Sequence, residues 1–281
     1  MPELPEVEAM ARLLGPAAKG SEVRSVTIGG VGTLKSFDPE IETLVGQKVT
    51  GIRRRGKHLV VDFSGDVSLL VHMMSAGRLQ IFDKTGSVRD KINRVMIRLD
   101  DGRDLRLREF GSKQRAWVKL VLTKELEDDP ALSALGPDAW PDPPDFKALL
   151  AEPRPLHAIL RDQKVIAGIG RSWVDEILHS VKMSPFKRGD SLTDDEAEQL
   201  RSATIGCMKD AIAHYENVLE LPLPDKLPMP LTVHRRKGQP CPRCGTALEA
   251  VHFEEHEMCY CPSCQTEGKL LKDRRLSRLL K

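Results

Sequence analysis

The sequence predicts an α+β protein with an N-terminal antiparallel β-sandwich and flanking helix, a helical region after it, and a C-terminal zinc ribbon. Three observations carry this. Short alternating apolar runs fill residues 23–122, helical periodicity takes over beyond 145, and two Cys-x-x-Cys pairs lie near the end. A chain of 281 residues has room for two domains and a small extra module.

The first eight residues read Met-Pro-Glu-Leu-Pro-Glu-Val-Glu. Pro5 suits a first helical position, and Val7, Met10, Ala11 and Leu14 recur at helical spacing, predicting a helix over 5–14 that Gly15-Pro16 ends. Glu6 and Glu8 fall in its first turn, where the helix dipole favours negative charge. Removal of Met1 would leave Pro2 as a terminal secondary amine able to form an iminium with an aldehyde carbon. Such amines titrate at roughly 7.7–8.0, so an unprotonated nucleophile needs no strong perturbation. Glu3 stands beside it as a proton donor or acceptor. The plainer alternative is that Pro2 only permits cleavage of Met1.

Val26/Ile28, Leu59/Val61/Phe63, Leu69/Val71, Val95/Ile97/Leu99, Leu105/Leu107 and the run from Trp117 to Leu122 read as strands. Asp101-Gly102 marks a hairpin between two of them. Roughly six to eight strands in a sandwich or barrel follow, with the first helix packed across one end. The four prolines of residues 136–144 mark an interdomain hinge. Beyond it, helices are expected over 146–151, 156–160 and 171–181. Thr193 and Glu196 form a capping box for a long helix running to about residue 217. The glycine-bearing turn 162–170 delivers backbone N–H groups to a helix start, a plausible phosphate site. Residues 218–238 read as a loop. The resulting boundaries are 1–130 for the sandwich, 131–145 for the hinge, 146–235 for the helical domain and 236–281 for the ribbon.

Cys241 and Cys244 precede Cys261 and Cys264 by sixteen intervening residues, a spacing suited to one structural, tetrahedral four-thiolate zinc ion. Cys259 reads as a bystander and Cys207 as a small core residue. The net charge of +2 hides local basic clusters: Arg53, Arg54, Arg55 and Lys57, and ten Lys/Arg against six Asp/Glu from Leu231 onward. These suit a nucleic-acid face or a solvated surface. No apolar run reaches membrane-span length and no secretory pattern opens the chain, so a cytoplasmic protein is expected.

The proline opening, the glycine turn before a helix and the ribbon with basic flanks occur together, in that order. In this the chain resembles the formamidopyrimidine-DNA glycosylase / endonuclease VIII family. Arg55-Gly56-Lys57 is similar to that family's lysine loop. The stretch from Asp162-Gln163 through Glu176 is similar to its helix–two-turns–helix element, and Cys261-Pro262-Ser263-Cys264-Gln265 to its ribbon.

The resemblance implies a bifunctional DNA glycosylase and abasic-site lyase of base excision repair. Such an enzyme everts an oxidised or otherwise damaged base from duplex DNA and attacks C1′ of its sugar with the N-terminal proline. It implies Pro2 as nucleophile, Glu3 as the acid assisting base loss, and Lys57 as a phosphate binder assisting catalysis. Glu6 and Glu176 would line the site, and His72 would contact the DNA backbone. Arg108 and Phe110 would fill the gap left by the everted base. A methionine expected with them falls at Ser75, although Met73 and Met74 adjoin it. Other positions depart from the family pattern as well: Arg171 stands where an asparagine contacts phosphate, His256 replaces an arginine of the ribbon, and His157 replaces a lysine. Arg171 still reads as a phosphate binder, and His256 as a weaker, pH-sensitive one. The implied partner is duplex DNA carrying damaged bases or abasic sites, engaged by a monomer with no membrane association. A non-catalytic damaged-DNA-binding protein and an RNA-associated zinc-ribbon protein stay open as alternatives. Which lesion is preferred is not set by the sequence.

Overall fold

The computed structural model describes residues 1–30, 32–87, 89–253 and 256–272. Its contacts form two compact units, Met1–Ala134 with Ala211–Pro228, and Leu135–Asp210 with the chain from Met229 onward.

Helix α1 (Leu4–Ala18) opens the first unit, and burial of Leu4, Val7, Met10, Leu14 and Ala18 follows its apolar stripe. The expected stop at Gly15-Pro16 is corrected: the helix carries both residues in its last turn, where the Lys19 N–H bonds the Gly15 carbonyl at 3.0 Å. A proline this close to the end removes one backbone donor without breaking the whole ladder. Gly15 serves approach instead, since a Cβ there would touch the Ile52 carbonyl oxygen at 3.4 Å.

Eight strands follow: β1 (Val23–Ile28), β2 (Val49–Arg55), β3 (His58–Phe63), β4 (Val67–His72), β5 (Gly77–Phe82), β6 (Asn93–Leu99), β7 (Asp104–Glu109) and β8 (Trp117–Leu122). They form two four-stranded antiparallel sheets, ordered β1-β6-β7-β5 and β2-β3-β4-β8. The β6–β7 hairpin turns at Asp101-Gly102 as expected, with Gly102 at φ +88°. Strands β2 and β5 are not legible in the sequence, because β2 ends in three arginines and β5 carries Arg78 and Gln80 among its apolar residues. Strands β3 and β4 are buried along almost their whole length, as central strands covered on both faces must be.

The second unit is helical, with α3 (Phe146–Leu149), α4 (Leu156–Ile159), α5 (Arg171–Ser180) and most of α6 (Asp194–Val218); the one-turn α2 (Pro130–Ser133) belongs to the first unit. The Thr193–Glu196 capping box forms in both directions, at 3.0 and 3.2 Å. The backbone of residues 136–139 bonds the 163–167 turn through Gly136 N–H to Gln163 O, Ala139 N–H to Ala167 O and Ala167 N–H to Pro137 O. Cys207 is half-buried rather than a core residue, since its helix face is only partly covered. The ribbon consists of the β9 (Glu249–Phe253) and β10 (His256–Tyr260) hairpin followed by α7 (Pro262–Thr266). Among the described residues no helix is long and apolar enough to cross a membrane.

Candidate functional site

In the first unit, Pro2 is buried immediately ahead of α1, and Glu3 is the N-cap of that helix. Glu3 and Glu6 form a reciprocal capping box in which the Glu3 N–H donates to Glu6 Oε2 at 2.7 Å. Both carboxylates are almost wholly buried, at 2% and 1% exposure. Buried carboxylates need donors. Glu6 finds a second one in the Tyr215 hydroxyl, which donates to Oε1 at 2.6 Å from the C-terminal part of α6. Burial, reinforced by the charge of Glu6, pushes the Tyr215 phenol well above its ordinary pKa, so its proton stays in place.

Arg78, at the start of β5, shares this environment. Burial lowers its pKa, while the nearby Glu6, Tyr215 and Asp225 oppose that shift. Its Nη1 donates to the Gly77 carbonyl at 2.6 Å. Two residues along the same strand, the buried Gln80 donates to the Leu223 carbonyl and to Asp225 Oδ1, fixing the segment after α6 to β5. Arg108 lies across from Arg78 on β7 and donates to Asp225 at 2.8 Å and to Gln80 at 3.2 Å. Its guanidinium sits 4.9 Å from the ring centroid of the exposed Phe110. Between them Glu109 turns inward and accepts the Arg115 and Ala116 N–H groups at 2.9 Å each, so strand alternation sends Arg108 to the other face.

Lys57 is the second residue of the Gly56-Lys57 turn joining β2 to β3, with Gly56 at φ +56°, and it is buried to 8% exposure. His72 closes β4 and stacks on Trp117, with ring centroids 5.5 Å apart and planes within 8°. Burial, then the charge of Lys57, lowers the His72 pKa to about 4. The ring is therefore neutral near pH 7. Its Nδ1 accepts the Met74 N–H at 3.1 Å, which places the imidazole proton on Nε2. Met73 is core at 1% exposure, Met74 occupies a left-handed turn position at φ +48°, and Ser75 is the exposed residue there.

In the second unit, Gln163 shapes the glycine turn: its amide nitrogen donates to the Arg161 and Ile169 carbonyls, and its oxygen accepts the Gly168 N–H. Gly168 has φ +105°, which favours glycine. Gly170 is the N-cap of α5, and Arg171 is its exposed first residue. Glu176 is held by the chain leading to the ribbon. Its oxygens accept the Thr232, Val233 and His234 N–H groups and the Thr232 hydroxyl, at 2.8–3.1 Å, so it organises the approach to the ribbon. Buried Asp175 accepts from His234 Nδ1 at 2.6 Å and from the Cys259 N–H at 3.1 Å, and His157 Nε2 lies 3.3 Å from its other oxygen without a hydrogen-bond alignment.

The four sulfurs of Cys241, Cys244, Cys261 and Cys264 lie within 4.8 Å of one another and could hold one metal ion. Separations of 3.5, 3.5 and 4.0 Å fit the edges of a tetrahedron of thiolates about 2.3 Å from a central ion, which would be about 3.8 Å. The Arg243 and Cys264 N–H groups point at Cys241 and Cys261 sulfur, as a charged thiolate site requires. Arg243 also donates to the last carbonyls of α5, at His179 and Ser180, docking the ribbon on that helix end. His256 begins β10, and its side chain lies outside the described residues.

Residues 1–112 match the family model of the formamidopyrimidine-DNA glycosylase N-terminal domain, and residues 135–221 that of the H2TH domain of the same enzymes. The formamidopyrimidine-DNA glycosylase of Pediococcus pentosaceus is 34% identical across 94% of this chain and 99% of its own length. The chain belongs to the formamidopyrimidine-DNA glycosylase family. The Moorella thermoacetica member is likewise 34% identical, over 89% of this chain and 94% of its own. Among solved structures, the MutM (Fpg) protein of Thermus thermophilus has a TM-score of 0.80 at 29% identity, covering 95% of this chain and 100% of its own. Lactococcus lactis Fpg in complex with DNA containing N7-benzyl-Fapy-dG reaches 0.84 at 24% identity, covering 94% and 100%, a likeness of fold.

Within this member of the family, the geometry adds residues that sequence reading misses. Tyr215 and Asp225 gather with Glu6, Arg78, Gln80 and Arg108 although more than a hundred positions separate the first two from the other four. In the sequence Tyr215 is visible only as an apolar position on α6. Its hydroxyl at a fully buried site is the signal that a polar partner must exist.

Proposed function

We propose that this chain is a DNA glycosylase of base excision repair and an abasic-site lyase, with duplex DNA carrying damaged bases or abasic sites as its substrate. The observation that carries this reading is Pro2 held directly before the N-cap of α1, with Glu3 as that N-cap and Glu6 in the first turn. With Met1 removed, the Pro2 amine adds to C1′, and the leaving base, or the hydroxyl of an abasic sugar, departs with a proton. Protonation of O4′ and cleavage of the C1′–O4′ bond then open the sugar, and the nitrogen lone pair forms the C1′=N bond of a positively charged iminium. The iminium acidifies the neighbouring sugar protons, and successive eliminations expel the flanking phosphates before hydrolysis frees Pro2. Glu3 supplies the proton to the leaving group, and to do so its carboxylate must loosen from the helix start that it caps.

Lys57 holds a phosphate beside the site. His72 adds a neutral Nε2–H donor whose strength is constant around pH 7, as suits a positional contact. Arg171 at the start of α5 and His256 on the ribbon supply further phosphate contacts. Arg108 and Phe110 occupy the space vacated by the everted base. Glu6 supports Pro2, whereas Glu176 supports the fold near the ribbon. The metal is a single structural zinc on Cys241, Cys244, Cys261 and Cys264. Reduced thiolates suit the cytoplasm, where the DNA of a bacterial cell lies.

The test is borohydride reduction of the Met1-processed protein with a duplex containing one abasic site. A covalent protein–DNA adduct lost in Pro2→Gly is expected. Tight binding without an adduct would leave a damage-binding protein, and a preference for structured RNA would overturn the reading altogether. A panel of duplexes bearing oxidised purines, oxidised pyrimidines and bulkier adducts then assigns the lesion.

A further inference from the structure

The Tyr215 hydroxyl has no place in the chemistry above, yet it reaches the first turn of α1 across 209 positions of sequence. We propose that Tyr215 is a positioning residue for the Pro2 nucleophile, acting through Glu6. The inference rests on the proposed lyase reading of Pro2.

The chain of contacts is short and buried. Tyr215 Oη donates to Glu6 Oε1 at 2.6 Å, and Glu6 Oε2 accepts the Glu3 N–H at 2.7 Å. That amide is the peptide nitrogen joined to the Pro2 carbonyl carbon, so fixing it fixes the plane from which the Pro2 ring and amine project. Glu6 therefore has one oxygen on the backbone of the nucleophile and the other on Tyr215. Tyr215 itself is fully buried, and its phenol keeps its proton, so it donates in one direction only.

The same hydroxyl affects charge. A carboxylate beside an amine stabilises the protonated, unreactive ammonium. Donors to Glu6 spread its charge and lessen that effect. The groups facing Glu6 include the N-cap residue Glu3, Arg78 on β5 and Tyr215 on α6, with Asp225 facing Arg78 from the segment after α6. Arg78 and Tyr215 both favour an ionised Glu6 whose charge is drawn away from Pro2. Loss of the Tyr215 donor leaves the negative charge of Glu6 less dispersed, so that it holds more of the Pro2 amine protonated.

Segment 219–228, which continues from Tyr215, is fixed to β5 and β7 by Gln80 and Arg108. Tyr215 thus lies beside a segment anchored just beyond it along the chain, which limits the motion of its hydroxyl.

The test uses Tyr215→Phe, which removes the hydroxyl and keeps the ring that fills the core. Single-turnover borohydride trapping on an abasic-site duplex should slow about tenfold, the loss expected for one hydrogen bond to a charged group. Duplex affinity should stay within about twofold, and the acidic limb of the rate–pH profile should move to higher pH. In the Glu6→Gln background, Tyr215→Phe should add no further loss, because the pathway is already cut. A trapping rate and pH profile equal to wild type, or fully additive losses in the double variant, would overturn the inference. So would slow trapping explained wholly by weaker duplex binding. If the wild-type protein forms no adduct at all, the lyase reading fails and the inference falls with it, an outcome distinct from wild-type trapping left untouched by Tyr215→Phe.

Discussion

Arg108 donates to Asp225 at 2.8 Å although 117 positions separate them, and Gln80 donates to the same carboxylate oxygen at 3.1 Å. Asp225 thereby joins the residue assigned to gap filling with the segment that follows α6. Its side chain is 56% exposed, so the ion pair itself contributes about 0–1 kcal/mol. Asp225→Ala should leave the melting temperature nearly unchanged and speed proteolysis within 219–228 several-fold. An unaltered cleavage rate would show that the Gln80 bond to Leu223 holds the segment alone.

A tight turn links His72 to Arg78. The Gly77 N–H bonds the Met73 carbonyl at 2.8 Å, and a Cβ on Gly77 would collide with that same oxygen. Gly77→Ala must shift this backbone, at a cost of about 1–3 kcal/mol. The Met74 N–H that orients His72 moves with it. Thermal denaturation should show the loss of stability and single-turnover trapping a slower reaction; a variant normal in both would contradict the account.

His58 and His72 are paired across β3 and β4 with rings 4.6 Å apart. Burial, then the neighbouring His72, lowers His58 to about 3, and burial with Lys57 lowers His72 to about 4, both from an ordinary 6.5. For a base with a depressed folded-state pKa, the unfolded chain takes up protons first as pH falls. Stability is therefore full above 6.5 and drains away between 6.5 and about 3–4, by up to several kcal/mol. Urea midpoints should drop across this window, and less so in His58→Gln. A flat profile would mean that the rings are solvated in solution.

Asp175 holds the ribbon approach from α5. Asp175→Ala leaves the His234 Nδ1 and the Cys259 N–H without their acceptor in a buried site. A cost of about 3–5 kcal/mol is expected, by analogy with breaking a buried pair. Denaturant melts measure it directly, and a loss below about 1 kcal/mol would assign the cluster to a hydrated environment.

Chelation should release one metal ion per chain and expose the four ribbon cysteines to a thiol reagent, with duplex affinity falling alongside. An unchanged thiol count together with unchanged affinity would remove the structural-metal assignment.

Much of this protein is written locally in its sequence. The period of α1, the Asp101-Gly102 hairpin, the Thr193–Glu196 capping box and the two Cys-x-x-Cys pairs each depend on neighbours within a few residues, so they could be read directly. The end of α1 could not, because whether Gly15-Pro16 stops a helix depends on β2 lying against it. Strands β2 and β5 escape for a related reason. Their arginines and Gln80 are polar by residue type, and partners far along the chain supply what burial removes. Glu176 shows the limit most clearly: its acceptance of the backbone N–H groups of 232–234, more than fifty positions away, has no local signal. The sequence by itself determined the family and the four cysteines that could hold a metal ion, since these rest on residue identity and short spacing. Only the tertiary structure decided which buried polar side chains pair with one another, because a buried donor finds its acceptor in space and not along the chain.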